Sequence, residues 1–149
     1  MRKVRRSGGL ASPGVRGNGD LRIHVWIETD PYQHKMVAAL LHECGHVDHY
    51  LRDQAQTKRW SRRELPEPEI AELEIQSEHV AIEAGLRECL HLFDEGVIHP
   101  LIFSVNTVNS RSHPCRKHQG HVHEVYEMAF ARVDRSLWQE CETKARKRR

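Results

Sequence analysis

A glutamate and two histidines lie inside an apolar segment between residues 36 and 50. The segment reads MVAALLHECGHVDHY, with His42 and His46 four residues apart and Glu43 directly after the first. Side chains four apart on a helix lie on one face, so both imidazoles can reach one metal ion. A helix this apolar is expected to be buried, and buried polar groups need partners. The segment therefore predicts a buried helix that binds a metal ion.

The bare HExxH pattern is weak evidence, because a chain with 12 histidines contains it by chance at a rate of roughly 0.1. A catalytic zinc usually takes three protein ligands and leaves one position for water. The longer pattern HExxHxxGxxH is excluded, because His49 and Arg52 occupy its glycine and third-histidine positions. A third ligand must come from elsewhere, and a hydrogen-bonded core cluster without metal is the alternative.

A second helix is predicted for residues 69–93, and its polar residues divide between two faces. At 100° per residue, one stripe is typical of a solvent face: Glu72, Gln76, Glu83 and Arg87. The opposite stripe combines two carboxylates with small residues: Glu74, Glu78, Ala81 and Gly85. Inward carboxylates are unusual unless they are paired or bind a metal. The small residues would let this helix approach the first one closely.

HECGH in an apolar helix, followed by a second helix that reads SEHVA, resembles the gluzincin branch of the HExxH zinc metallopeptidases. Within that branch the chain resembles small ImmA/IrrE-type or phage-type metallopeptidases, and the resemblance covers roughly residues 21–93. Those families place a glutamate ligand in an ExxA context, which matches Glu78 to Ala81. They often have Asp or Asn next, where this chain has Ile82. The resemblance implies Glu78 as the third ligand, with Glu74 one turn earlier as the alternative.

The chemistry of such a site assigns the roles. His42, His46 and Glu78 would hold Zn²⁺, which lowers the pKa of a bound water toward ~7. Glu43 would act as the general base on that water during attack on a peptide bond. The expected substrate is a protein or peptide.

The remaining segments complete the predicted fold. Residues 21–28, LRIHVWIE, alternate between apolar and polar and predict a strand. Thr29, Asp30 and Pro31 indicate the start of a helix that runs to about Arg52. Residues 53–69 are predicted to be a loop, residues 94–120 irregular apart from a short strand in VIHPLIFSV, and residues 124–144 a third helix. We therefore predict an α+β, zincin-like fold in which a small mixed sheet packs on the metal-binding and carboxylate-bearing helices.

Basic charge is concentrated at the two ends of the chain. Residues 1–20 carry five Lys or Arg against one Asp, and residues 142–149 carry five against one Glu, so each end has a charge of +4. We expect a flexible basic segment over 1–20, one metallopeptidase domain over 21–144, and a basic tail over 145–149. Such ends are commonly solvated, but they can also make weak contact with nucleic acid.

Cysteine usage and hydropathy indicate the compartment. The four cysteines are widely spaced without a CxxC pair, and the N-terminal residues lack the apolar stretch of a secretory signal. We expect reduced thiols, a cytoplasmic protein and no membrane contact, since no apolar run approaches the roughly 20 residues that span a bilayer.

Several other residues have open assignments. His49 is expected to lie near the metal ligands or at the surface. The segment HPCRKHQGHVHE, residues 113–124, contains four histidines and Cys115; it is a polar loop, a second metal site, or the source of an oxyanion donor for the first site. Tyr126 is expected in the core or at the surface, with a position facing the cleft as the alternative, and Trp26 and Trp60 are expected in packing. Two rival functions remain: a zinc-fold regulatory or nucleic-acid-associated protein without turnover, and a metal-free helical protein.

Overall fold

A computed structural model describes residues 8–29, 31–104 and 116–147, with side chains from residue 120 onward in the last range. Two strands come first, β1 (Gly9–Val15) and β2 (Leu21–Ile27). Six α-helices follow: α1 (Gln33–Arg52), α2 (Gln54–Ser61), α3 (Glu67–Glu88), α4 (Leu90–Asp94), α5 (Arg116–Ala131) and α6 (Arg135–Arg146), with a 3-10 helix (Pro100–Phe103) before α5. The described residues form a small α+β fold in which helices dominate.

The two strands form an antiparallel hairpin in which Gly9 lies opposite Ile27 and Val15 opposite Leu21. The prediction of β2 is confirmed, but the mixed sheet is wrong, because the described sheet contains only this antiparallel pair. The prediction of a flexible segment over 1–20 is also wrong for residues 9–15. Their sequence, GLASPGV, is poor in β-branched residues and gives no strand signal. Residues 9–15 form a strand because they pair with β2, although their own strand propensity is low.

Helices α1 and α3 approach each other closely at two small residues. A Cβ atom built on Gly45 would lie 2.6 Å from the Cα atom of Ala81 and 2.9 Å from the Cβ atom of Ala84. The predicted close approach of the two helices is therefore confirmed. On its other side, α3 packs against α5 and α6 through the main core, whose largest buried members are Ile82, Leu86, Phe93, Phe103 and Tyr126.

Helix α1 is buried on only one side. Val37, Leu40 and Leu51 are 41%, 45% and 49% exposed on its outer face, so the expectation of a buried helix holds only for its inner face. Trp26 on β2 is 48% exposed, which contradicts its assignment to packing. Helix α1 therefore separates an apolar outer stripe from a buried inner face that carries His42, Glu43, Gly45 and His46.

Local capping explains most differences in the helices. The predicted loop over 53–69 contains α2, where the side chain of Asp53 accepts a hydrogen bond from the Gln56 backbone at 3.0 Å. The predicted third helix is two helices, because Asp134 caps α6 by accepting from the Ser136 backbone at 2.8 Å. Helix α6 continues to Arg146, into the predicted C-terminal tail. The strand predicted in VIHPLIFSV is wrong, because a 3-10 helix that begins at Pro100 occupies this segment.

Candidate metal centre

Three side chains that the sequence singled out meet between α1 and α3. The Nε2 atom of His42 lies 2.6 Å from Oε1 of Glu78, and Nε2 of His46 lies 3.2 Å from Oε2 of the same carboxylate. One ligand atom from each residue can be chosen so that all lie within 4.8 Å of one another. Among the described residues this is the group of three able to hold a metal ion. Two imidazole nitrogens and one carboxylate oxygen match the donor set of His₂Glu zinc enzymes.

Burial strengthens the electrostatic coupling within this group. His42 and His46 are 1% and 7% exposed, and the side chain of Glu78 is 19% exposed. Burial alone would raise the pKa of Glu78, but the charges of His46 and His42 and their hydrogen bonds outweigh it. The pKa of Glu78 therefore lies well below its usual range, and the carboxyl group is an anion at neutral pH. An anionic carboxylate that faces two imidazoles can form a binding site for a divalent cation.

The ring of His46 is contacted by the hydroxyl group of Ser77 and by the ring of Tyr50. Its Nδ1 atom makes a 2.7 Å hydrogen bond with Oγ of Ser77, the residue directly before Glu78. Tyr50 stacks on the same ring with centroids 6.1 Å apart and donates its hydroxyl to the Ala11 carbonyl at 3.1 Å. Burial raises the pKa of Tyr50, partly opposed by a hydrogen bond with Ser77. Neither contact was predicted from the sequence, although Tyr50 lies four residues after His46.

The ring of His42 lies beside α5. Tyr126 is 1% exposed, its ring centroid is 6.0 Å from that of His42, and its hydroxyl donates to the Phe103 carbonyl at 2.6 Å. Tyr126 is therefore a core residue that also forms one wall of the centre. Trp60 lies at the opposite end, with its ring edge against Tyr50 at 5.7 Å between centroids.

Glu43 is buried at 4% exposure and lies against the start of β1. A Cβ atom built on Gly9 would lie 3.0 Å from Cγ and 3.1 Å from Oε1 of Glu43, so β1 approaches this carboxylate at a residue without a side chain. The negative charge of Glu43 also contributes to the raised pKa of Tyr50. Glu43 is not one of the three residues whose atoms form the His-His-Glu group. The role of Gly9 was not predicted.

The alternative ligand Glu74 has a different partner. Its Oε2 atom lies 2.6 Å from Nε2 of His121 on α5, and the ligand-capable group contains Glu78 instead. His123 is exposed, whereas the side chains of His113, Cys115 and His118 lie outside the described part, so a second metal site there stays a prediction.

His49 is half-buried, and its Nδ1 atom has no hydrogen-bond partner among the described residues. Burial lowers the pKa of His49, with smaller contributions from the charges of His46 and Arg52. His49 is thus a neighbour of the centre without a place in the group of three.

The described thiols of Cys44, Cys89 and Cys141 are free, as expected from the sequence. Within residues 8–29, 31–104 and 116–147, no helix is long and apolar enough to cross a membrane. Most of the basic residues at the chain ends, 1–7 and 148–149, lie outside the described residues, so nucleic-acid contact by the tails stays a prediction.

Comparison of the chain with protein-family models, with curated proteins and with solved structures finds no match in any of the three. The evidence for a metal centre is therefore the donor set and its geometry: two histidines on α1 and one glutamate on α3, brought within reach of a single ion.

Proposed function

We propose that this protein is a zinc-dependent metallopeptidase of the HExxH type, with His42, His46 and Glu78 as the metal ligands. The observation that supports this most is the meeting of the two HExxH histidines with a carboxylate from a different helix. In the bare HExxH pattern nothing requires such a carboxylate. If the HExxH pattern were accidental, an acidic side chain would not be expected in a buried position between the two imidazoles, because burial of an acidic group is unfavourable.

Zinc fits the donors that are present. Two imidazoles and one carboxylate leave one position of a tetrahedral zinc ion for water or substrate, which is the arrangement of catalytic sites. A bound zinc ion would supply Lewis-acid polarisation of the scissile carbonyl and a water of lowered pKa. His42 and His46 would hold the ion in their neutral forms, and Glu78 would neutralise part of its charge.

Glu43 is proposed as the general base. It follows His42 on α1, so its side chain projects from the helix next to the ligands without belonging to their set. Its carboxylate would accept a proton from the attacking water and then donate it to the leaving amine. The buried position against Gly9 limits the rotamers available to Glu43 and would keep the carboxylate near this one place. The proposed substrate is a protein or peptide.

The first test is metal content by mass spectrometry for wild type, His46→Ala, Glu78→Gln and Glu74→Gln. We expect about one zinc ion per chain in the wild type and in Glu74→Gln, and loss of zinc in the other two variants. Glu74→Gln is the matched control, because it changes the same group one turn away on the same helix. A wild type that neither contains zinc nor takes it up would overturn the proposal.

The second test separates binding from turnover. Glu43→Gln should retain zinc and lose peptidase activity by about 10²- to 10⁴-fold, the usual contribution of a general base. If zinc is bound but Glu43→Gln cleaves peptides as fast as the wild type, the ion has another role and the enzymatic proposal fails.

A further inference from the structure

We propose that the outer face of the hairpin and the neighbouring helix α2 form a binding surface for single-stranded nucleic acid. This surface, named the basic face, contains two aromatic residues and seven cationic ones: His24 and Trp26, with Arg16, Arg22, Arg52, Lys58, Arg59, Arg62 and Arg63. It is separate from the basic ends of the chain, and none of its residues belongs to the His-His-Glu group. The proposal therefore does not depend on the proposed peptidase activity.

The hairpin and α2 are held side by side. On α2, the hydroxyl of Ser61 donates a 3.2 Å hydrogen bond to the carbonyl of Pro13 on β1. The same turn of α2 carries Arg59 and Arg62, and β2 carries Arg22 one position from the residue opposite Pro13. All three arginines are exposed. Cations from two distant segments of the sequence are therefore brought to one part of the surface.

The cations of the basic face have no acidic partners within residues 8–29, 31–104 and 116–147, because none of them forms an ion pair there. By contrast, Arg87, Arg132 and Arg146 each pair with a glutamate, at 3.0, 2.6 and 3.0 Å. Residues 52–64 contain five Lys or Arg and two acidic residues, whereas α3 contains seven Glu and one Arg. Clustered cations without partners repel one another, and the phosphates of a polyanion relieve that repulsion.

Strand β2 adds aromatic rings to these cations. Arg22, His24 and Trp26 alternate along β2, so their side chains project from one face, about 7 Å apart in succession. This face is the outer one, because Ala11, which pairs with Val25 on the other face, is only 6% exposed. The β1 residues opposite the three are Gly14, Ser12 and Leu10. Two of them are too small to cover their neighbours, so a guanidinium, an imidazole and an indole form an open row.

Such a row favours a single strand over a duplex. The bases of a single strand can stack on indole, imidazole and guanidinium planes while nearby cations contact the phosphates. In a duplex the bases already stack on one another, so the rings of His24 and Trp26 would find no stacking partner. An anionic lipid surface would attract the same cations but has no flat rings to stack on these side chains.

The test is fluorescence anisotropy with a labelled oligothymidylate of about 20 nucleotides, longer than typical single-strand sites. The full wild-type chain is compared with two triple variants, each of which removes three positive charges. The basic-face variant carries Arg22→Gln, Arg59→Gln and Arg62→Gln. The control variant carries Arg87→Gln, Arg132→Gln and Arg146→Gln, whose arginines already pair with glutamates. Circular dichroism verifies that both variants fold.

We expect the dissociation constant of the basic-face variant to rise about 100-fold at about 0.1 M salt, because each phosphate contact contributes roughly fivefold there. The slope of log affinity against log salt should become shallower by about 2, since each contact to a single strand contributes about 0.7. The control variant should lose less than about fivefold and keep the wild-type slope. Trp26→Ala should weaken binding about 5- to 150-fold with an unchanged slope, because stacking releases no counterions.

Equal losses in the two triple variants would assign binding to net charge or to the basic ends of the chain and would overturn the proposal. It would also fail if the wild type bound a duplex of the same length as tightly as the single strand, or bound phosphatidylserine vesicles but no oligonucleotide. Unchanged affinity in Trp26→Ala would refute the stacking row and with it the preference for a single strand. If the basic-face variant does not fold, Arg22→Gln and Trp26→Ala decide.

Discussion

The contact between Gly45 and Ala81 gives the sharpest quantitative prediction, for the variant Gly45→Ala. The added methyl carbon would lie 2.6 Å from Cα of Ala81 and 2.9 Å from Cβ of Ala84. Carbon atoms in protein cores lie about 3.5–4.0 Å apart. One of the two obstructing atoms is backbone and neither belongs to a flexible side chain, so α1 and α3 must separate by about 1 Å to accept the methyl group.

Two opposing terms set the effect on stability. Alanine is favoured over glycine in a helix interior by about 1 kcal/mol. Overpacking of a well-filled contact costs about 1–3 kcal/mol. Gly120→Ala on α5 is the matched control, because a Cβ atom there meets no atom of the described residues within 4 Å and only the first term applies. Gly45→Ala should therefore be less stable than Gly120→Ala by about 1–3 kcal/mol, the overpacking term alone.

The free energy of unfolding of the metal-free variants is measured by urea denaturation. The same displacement should also weaken zinc binding in Gly45→Ala at least about tenfold, since metal–ligand distances tolerate deviations of only about 0.2 Å. Chelator competition measures that loss, and Gly120→Ala should bind zinc like the wild type. If Gly45→Ala gains as much stability as Gly120→Ala, the helices do not touch at Gly45 and the reasoning is refuted.

Two further predictions concern the fold away from the centre. Arg63 has a φ of 56° after the end of α2, a conformation that costs a non-glycine residue roughly 1–2 kcal/mol. Arg63→Gly should therefore raise the melting temperature, whereas Arg59→Gly inside α2 should lower it; equal effects in thermal denaturation would contradict this. Burial would raise the pKa of Glu83, but a hydrogen bond from the Asp134 backbone and pairing with His79 and Arg87 lower it overall. Because the folded-state pKa is below the unfolded value of about 4.3, Glu83 stabilises the fold above that pH, and the contribution is lost as pH falls through the folded pKa. Glu83→Gln should therefore be less stable than the wild type at pH 7. Its free energy of unfolding, measured by urea denaturation, should also change less between pH 5 and pH 3 than that of Glu127→Gln, a control at an exposed residue. Parallel pH curves for the two variants would show that ionisation of Glu83 does not contribute to stability.

Periodic segments were predictable from the sequence, and segments that depend on tertiary partners were not. Strand β2 and helix α1 carry strong alternation or apolar content, and both were placed within a few residues. Strand β1 has no such pattern and forms because β2 pairs with it. Helix α2 was missed because its sequence, QAQTKRWS, is almost entirely polar and resembles a loop. The break between α5 and α6 depends on one capping residue, Asp134, within an otherwise helical pattern.

The residues of the candidate metal centre also differ in how far they could be predicted from the sequence. Two histidines four apart are visible in any sequence, so His42 and His46 required only a helix to bring them together. The hydroxyl groups of Ser77 and Tyr50 carry no sequence signal of their own, because serine and tyrosine are common in many settings. Their part in the centre became evident only when α3 and β1 were packed against α1.

The choice between Glu74 and Glu78 depends on register, which the sequence alone leaves open. The two carboxylates lie on one face of α3, about one turn or 6 Å apart along its axis. The contact of Gly45 with Ala81 fixes how far α3 is displaced along α1, and at this register Glu78 reaches both histidines. Glu74 extends past the centre and pairs with His121 on α5. A larger residue at position 45 would disturb the contact of α1 with α3, so the glycine of HECGH helps to determine which carboxylate of α3 meets the two histidines.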